Sequence, residues 1–257
     1  MLINVSKNIE ELSWHIAEWV VDYIHKTLQL QERFTIALSG GSTPKKLHLL
    51  LASSEFKNKI DWQKLHVFWG DERYVPFTDG RNNAKMAFDT LLNYVAVPQS
   101  QIHIMRTDIN PEKSANEYEN ILKEYFAEGT RDMLQETISS SSLTTHHSFD
   151  LVLLGLGDNA HTLSLFPNEE VIHEKDRLVR SIFVKEVNME RITLTAPIVN
   201  LSKKIAFLVS GSDKANAVAH VLEDEYDPDV YPAQVIKPAN GELYWFLDEA
   251  AAMKLKK

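Results

Sequence analysis

Short apolar runs closed by glycine recur along the chain and alternate with longer segments whose apolar residues return every three or four positions. The first pattern predicts buried strands and the second amphipathic helices. Leu2–Val5 predicts a first strand, and Leu12, Ile16, Trp19, Tyr23 and Ile24 predict a helix behind an Asn8/Glu11 capping pair. Phe34–Leu38 is the next strand. It runs into Ser39-Gly40-Gly41-Ser42-Thr43-Pro44, where Pro44 suits the first turn of a helix capped by Thr43 and continued to Leu51. Leu65–Trp69 predicts a third strand, followed by a loop that carries Gly70-Asp71-Glu72-Arg73. Asn82 or Asn83 then caps a helix reaching Leu92, Ile102–Met105 predicts another short strand, and Asn110-Pro111 opens a helix through Leu122 and Tyr125. Beyond the centre, Leu178–Val184, Ile205–Val209 and Leu243–Leu247 predict strands, with a helix through Val218 and Leu222. Strands alternating with helices imply right-handed crossovers and an α/β fold with a mostly parallel sheet.

One stretch breaks the rhythm in an informative way. In Phe149–Pro167, FDLVLLGLGDNAHTLSLFP, the strand Leu151–Leu154 ends at Gly155 and Gly157, and a polar turn then presents Asp158, Asn159, His161 and Thr162. Residues 129–148 differ again, being serine- and threonine-rich without periodicity. They read as a surface insertion or mobile loop within one domain spanning residues 1–257, with His146 and His147 solvated in it.

Composition narrows the function classes. A formal net charge of −9 argues against nucleic acid or an anionic membrane as main partner, while a few local cations suffice for a small anionic substrate. The absence of cysteine removes disulfides, thiolate nucleophiles and cysteine-ligated metals. No signal peptide or membrane-spanning run is evident, so a soluble cytoplasmic protein is expected, as a monomer or weak homo-oligomer.

If the strands lie parallel in one sheet, SGGSTP, GDER, GLGDNAHT and SGSDK converge on its carboxyl edge, where open α/β sheets bind ligands. Gly40, Gly41, Ser42 and Thr43 offer backbone N–H groups, hydroxyls and a helix N-terminus to an anion. The loop is not a Walker A motif, since no Gly-Lys-Ser/Thr follows. Arg73, Arg191 and Lys214 could each neutralise a phosphate, although most single cations are solvated surface residues. His161 is the candidate acid–base group, with Asp71 as the other candidate base. Gly155–Ala160 also fits the dinucleotide pattern G-x-G-x-x-G/A, with Asp176 or Glu186 as ribose acid, but Pro167 comes too soon for a full crossover helix. No G-x-S-x-G elbow is present.

Taken in order, SGGSTP, FWGDERYVP, RNNAKMAF, GLGDNAHTLSLFP, ERITLTAPIVN, SGSDKANAV and GELYWFLDEAAA resemble the 6-phosphogluconolactonases over nearly the whole chain. The resemblance implies a three-layer, Rossmann-like, mostly parallel sheet with helices on both faces, shared with glucosamine-6-phosphate deaminases. It implies hydrolysis of 6-phospho-D-glucono-1,5-lactone in the oxidative pentose phosphate pathway, without metal or cofactor. It also assigns His161 as general base and phosphate contacts to the Gly40–Thr43 loop, Arg73, Lys214 and Arg191. The family's Asp-Gly-His-Thr turn is Asn159-Ala160-His161-Thr162 here, with Asp158 one residue earlier, and its serine–asparagine pair is Asn82-Asn83. The deaminases carry a ring-opening glutamate where Phe166 stands. A non-catalytic sugar-phosphate-binding protein is the alternative outside enzymology.

Overall fold

The structure is a computed structural model that describes residues 1–134 and 148–256. In chain order the strands and helices are β1 (Leu2–Ser6), α1 (Ile9–Leu28), β2 (Phe34–Leu38), α2 (Ser42–Leu51), β3 (Leu65–Trp69), β4 (Asp71–Arg73), α3 (Asn83–Thr90), α4 (Pro111–Leu134), β5 (Leu151–Leu154), β6 (Val179–Val184), β7 (Met189–Leu194), α5 (Ala196–Asn200), β8 (Lys204–Val209), α6 (Ala215–Glu223), β9 (Glu242–Asp248) and α7 (Glu249–Ala252). The main sheet has six parallel strands in the order β1-β9-β8-β5-β2-β3.

Continuous apolarity of the central strands follows from cover on both faces. Along β5, Leu151 and Leu153 join the core beneath α1, α2 and α3, whereas Val152 and Leu154 join the core shared with α4, α5 and α6. All four are fully buried, each contributing about 2 kcal/mol of transfer free energy. The edge strand β1 behaves differently, leaving Leu2, Ile3 and Val5 exposed. Helix α1 starts at its expected cap: Asn8 Oδ1 accepts from Glu11 N at 3.0 Å, while the Glu11 carboxylate accepts from Lys7 N at 3.0 Å. The capping pair thus closes one residue earlier than the standard box.

Several expectations need correcting. Ile102–Met105 is not a strand; it contributes one parallel bridge, Val67 to Ile102. The helix reaching Leu92 stops at Thr90 and is capped by Asn82, whose Oδ1 accepts from Lys85 N at 2.8 Å. Helix α4 runs on to Leu134, so the first part of the 129–148 segment is helical; residues 135–147, with His146 and His147, lie outside the described residues. The largest departure is a second sheet. β4, β7 and β6 form a separate antiparallel sheet in that order, so Leu178–Val184 does not belong to the parallel sheet and Asp71–Arg73 is strand, not loop. Hydrogen bonds from Gly70 N to Leu38 O (2.9 Å) and from Leu194 N to Gly70 O (2.8 Å) fasten this small sheet to the carboxyl edge of the large one. Among the described residues no helix is long and apolar enough to cross a membrane.

Candidate active site

Parallel strands β3, β2, β5 and β8 are consecutive in the sheet, so the turns after them share one edge. A cleft of about 300 Å³ lies there, lined by the Gly40–Thr43 loop, Asp71, Arg73, His161, Arg191 and Lys214. The site residues expected from sequence are therefore brought together, except Asp158 and Asn159, which stand behind the histidine.

The loop after β2 is built differently from expectation. Gly41, not Thr43, occupies the cap, at φ +109°, and α2 begins at Ser42. No side chain caps this helix, which leaves its first N–H groups to whatever enters the cleft. A Cβ on Gly40 would lie 1.9 Å from Asn83 Oδ1, so only glycine lets Asn83 pack beneath the loop. Asn83 in turn donates from Nδ2 to Asp71 O at 2.9 Å.

The two-residue alternation of strand β4 sends Asp71 and Arg73 to the cleft and Glu72 to the opposite face. Buried Asp71 accepts from Ser164 Oγ (2.8 Å) and from Asn83 Nδ2 (3.3 Å). Glu72 points away, into a fully buried position where it accepts from the backbone N–H groups of Arg73, Asn83 and Ala84. Burial pushes its carboxyl up to about 7 in spite of those donors. Glu72 was not anticipated as an anchor, and a charged residue inside a polar tetrapeptide gives no hint that it faces inward. Arg73 stands directly opposite Arg191 of β7 in the antiparallel register. Two like charges facing each other across a ladder repel. Arg191 is 8% exposed, and the Nε of each arginine is buried without a hydrogen-bond partner. Lys214, between β8 and α6, pairs with the exposed Asp213 at 3.4 Å.

The turn after β5 is closed on itself. Gly157 N donates to His161 O (2.8 Å), Ala160 N to Gly157 O (3.1 Å), and Thr162 Oγ1 to Gly155 O (2.9 Å). No crossover helix follows β5, which removes the structural context a dinucleotide fingerprint requires. Ala160 takes φ +62°, the conformation glycine would adopt freely, at a cost of about 1–2 kcal/mol. Its methyl is buried in the core, and its carbonyl accepts from Ala233 N at 3.0 Å, which offsets that strain. A Cβ on Gly157 would lie 2.0 Å from His161 Nδ1, so the bare backbone is what lets the imidazole lie down over the turn. Phe166 stacks on the other side of the ring, centroids 3.9 Å apart and planes 14° from parallel.

Asn159 Oδ1 accepts from His161 N (3.1 Å) and sits 2.5 Å from His161 Nδ1. Asp158 is exposed and, among the described residues, accepts from Asn159 N at 3.1 Å and acts on the ring through its charge. Burial pushes the imidazole down to about 4, Arg191 and Lys214 push the same way, and Asp71 and Asp158 oppose them. In the ligand-free protein the ring therefore stays neutral far below pH 6.5. An NMR titration of the His161 ring should give a midpoint near 4 that rises when phosphate binds, since the anion offsets the two cations. A midpoint at the ordinary value would overturn this electrostatic picture. Because the unfolded chain takes up this proton near pH 6.5, the group's contribution to stability is lost as pH falls from there towards 4.

Among the described residues no group of three or more His, Asp or Glu side chains is arranged to hold a metal ion. What the cleft offers instead is a neutral imidazole beside Arg73, Arg191 and Lys214, at the carboxyl edge of a Rossmann-like sheet. Fold and site together define an α/β protein with a histidine, two arginines and a lysine gathered in one cleft at the carboxyl edge of its sheet. The profile of the glucosamine-6-phosphate isomerases/6-phosphogluconolactonase family matches residues 7–245, and the chain belongs to that family. The 6-phosphogluconolactonase of Nostoc sp. is 40% identical over 237 residues, covering 92% of this chain and 90% of that protein. That of Synechocystis sp. is 39% identical over 240 residues, covering 92% and 91%. The solved structure of 6-phosphogluconolactonase from Trypanosoma cruzi superposes with a TM-score of 0.81 at 26% identity, covering 100% of this chain and 97% of that one.

Proposed function

We propose that the protein hydrolyses 6-phospho-D-glucono-1,5-lactone to 6-phosphogluconate, a step of the oxidative pentose phosphate pathway, with His161 as general base. The observation that carries this reading is the facing pair Arg73–Arg191, each with its Nε buried and without a hydrogen-bond partner among the described residues, next to a neutral His161. Such a pair is costly until a dianion such as a sugar phosphate arrives. Lys214 and the open start of α2 add to the same anion site.

His161 Nε2 takes a proton from water as the water oxygen bonds to the lactone carbonyl carbon. The tetrahedral intermediate then breaks the bond from that carbon to the ring oxygen, which receives the proton back from His161. The new carboxylic acid ionises, so one proton is released per turnover. A lactone is an activated ester, so a single positioned base is sufficient. The phosphate, remote from the reacting carbon, supplies binding energy that fixes the ring's place and offsets the cations that depress the imidazole. Asp71 acts as a fixed charge favouring the transient imidazolium, because both its oxygens are already engaged by Ser164 and Asn83. Asn159 and Thr162 hold the turn, and Asp158 adds a distant negative charge.

Phe166 argues against aldose–ketose isomerisation. A hydrocarbon ring stacked on the imidazole cannot move a proton at the position where a ring-opening carboxylate would be needed. The test is acid release from freshly generated 6-phosphogluconolactone, spontaneous hydrolysis subtracted, alongside ammonia release from glucosamine 6-phosphate. We expect enzyme-dependent turnover of the lactone alone. Binding of 6-phosphogluconate without lactone turnover would leave a sugar-phosphate-binding protein instead.

A further inference from the structure

Glu186 plays no part in the mechanism above. It lies in the exposed turn between β6 and β7, where Asn188 adopts φ +47° and tightens the hairpin tip. Both of its carboxylate oxygens accept from Asn159 Nδ2, at 2.8 and 3.0 Å. A primary amide has one donating end and one accepting end. With the donating end held by a carboxylate, the accepting end is committed to His161, where it meets the backbone N–H and Nδ1. Turning the amide over would set oxygen against carboxylate and NH₂ against N–H. An amide oxygen can only accept, so Nδ1 must carry the ring hydrogen, and Nε2 keeps the lone pair.

We propose that Glu186 is a positioning residue for His161, acting through the Asn159 side chain to hold the imidazole in the Nδ1–H tautomer. The inference rests on the assignment of His161 as general base. It explains how asparagine can serve in front of the histidine: the carboxylate is present, but one side chain further out, and it reaches the ring through an amide. The same hairpin carries Arg191 on β7 and brings Val187 to the cleft wall, so base and anion site are tied to one element.

The experiment uses the full chain with Glu186→Ala, Glu186→Gln, Asn159→Asp and the Asn159→Asp/Glu186→Ala double variant. Turnover of 6-phosphogluconolactone is measured together with ¹⁵N-resolved imidazole spectra of His161. Loss of two charge-assisted hydrogen bonds should lower kcat about tenfold in Glu186→Ala, with KM unchanged. The His161 signals should pass from one Nδ1–H tautomer to a mixture. Glutamine still offers an oxygen to Asn159 and should restore most of kcat. In the Asn159→Asp protein a carboxylate bonds Nδ1 directly and confronts Glu186 as a like charge. Removing Glu186 there should leave kcat unchanged or raise it, reversing the sign seen in the wild type. Equal losses in both backgrounds, or an unaltered tautomer in Glu186→Ala, would overturn the relay. If His161→Ala retained full turnover, the base assignment would fail, while the tautomer spectra would still decide the relay independently.

Discussion

Replacing His161 by alanine should lower kcat for lactone hydrolysis by roughly 10²- to 10⁴-fold, the usual contribution of a positioned general base. KM should change little, because the proposed anion site lies on other elements: the start of α2, the β4–β7 ladder and the segment after β8. The fold should survive, since the turn is closed by backbone bonds that the substitution leaves intact. Initial rates over a range of enzyme concentrations, with spontaneous hydrolysis subtracted, make the comparison. Turnover equal to wild type would remove His161 from the mechanism. Spontaneous reaction of the lactone sets a floor, so the loss should be read at low substrate, where the enzymatic term dominates.

The second large effect concerns Arg191. Substitution by methionine keeps the apolar stem and removes the guanidinium. We expect KM to rise about 30-fold or more, the loss of roughly 2 kcal/mol or more that follows truncation of one partner of a desolvated charge pair. Arg191→Lys should recover little, because an ammonium cannot reproduce the planar fork. The ligand-free protein should melt at the same or a higher temperature than wild type. An arginine 8% exposed, opposite Arg73 and lacking a partner at Nε, costs the apo state more than it returns. Inorganic phosphate should raise the wild-type melting temperature by mass action and leave the variant's nearly unchanged. Unaltered KM together with intact phosphate stabilisation would refute the anion-site assignment. Opposite signs for affinity and stability are the mark of a binding group held in place by the fold at a cost.

Much of this molecule is legible in local pattern because local pattern is where its strand and helix choices are made. Leu151–Leu154 can be apolar at every position only if both faces are covered, and that alone announces a parallel sheet between helix layers. Parallel strands put their following turns on one edge, so SGGSTP, GDER, the His161 turn and SGSDK could be gathered into one site without coordinates. Asn8, Asn82 and Asn110 marked helix starts because a cap is satisfied within three residues.

Contacts between residues far apart in sequence were decided only by the tertiary structure. The antiparallel β4-β7-β6 sheet joins residues 71–73 to residues 189–194, and no local periodicity encodes that pairing. Hence GDER read as loop, and the confrontation of Arg73 with Arg191 was invisible. Gly41 displaced Thr43 as the start of α2 because a backbone turning at φ +109° reaches the helix sooner than a side-chain cap would. Ala160 occupies a glycine conformation because its methyl has a core to enter, a compensation no sequence window contains. The bond from Glu186 to Asn159 spans 27 positions. Local sequence determined the strands of the parallel sheet, most of the helices and the groups presented at the sheet's edge. Long-range packing determined which of those groups face one another, since side-chain encounters across elements depend on register and turn geometry that arise only once the chain has closed.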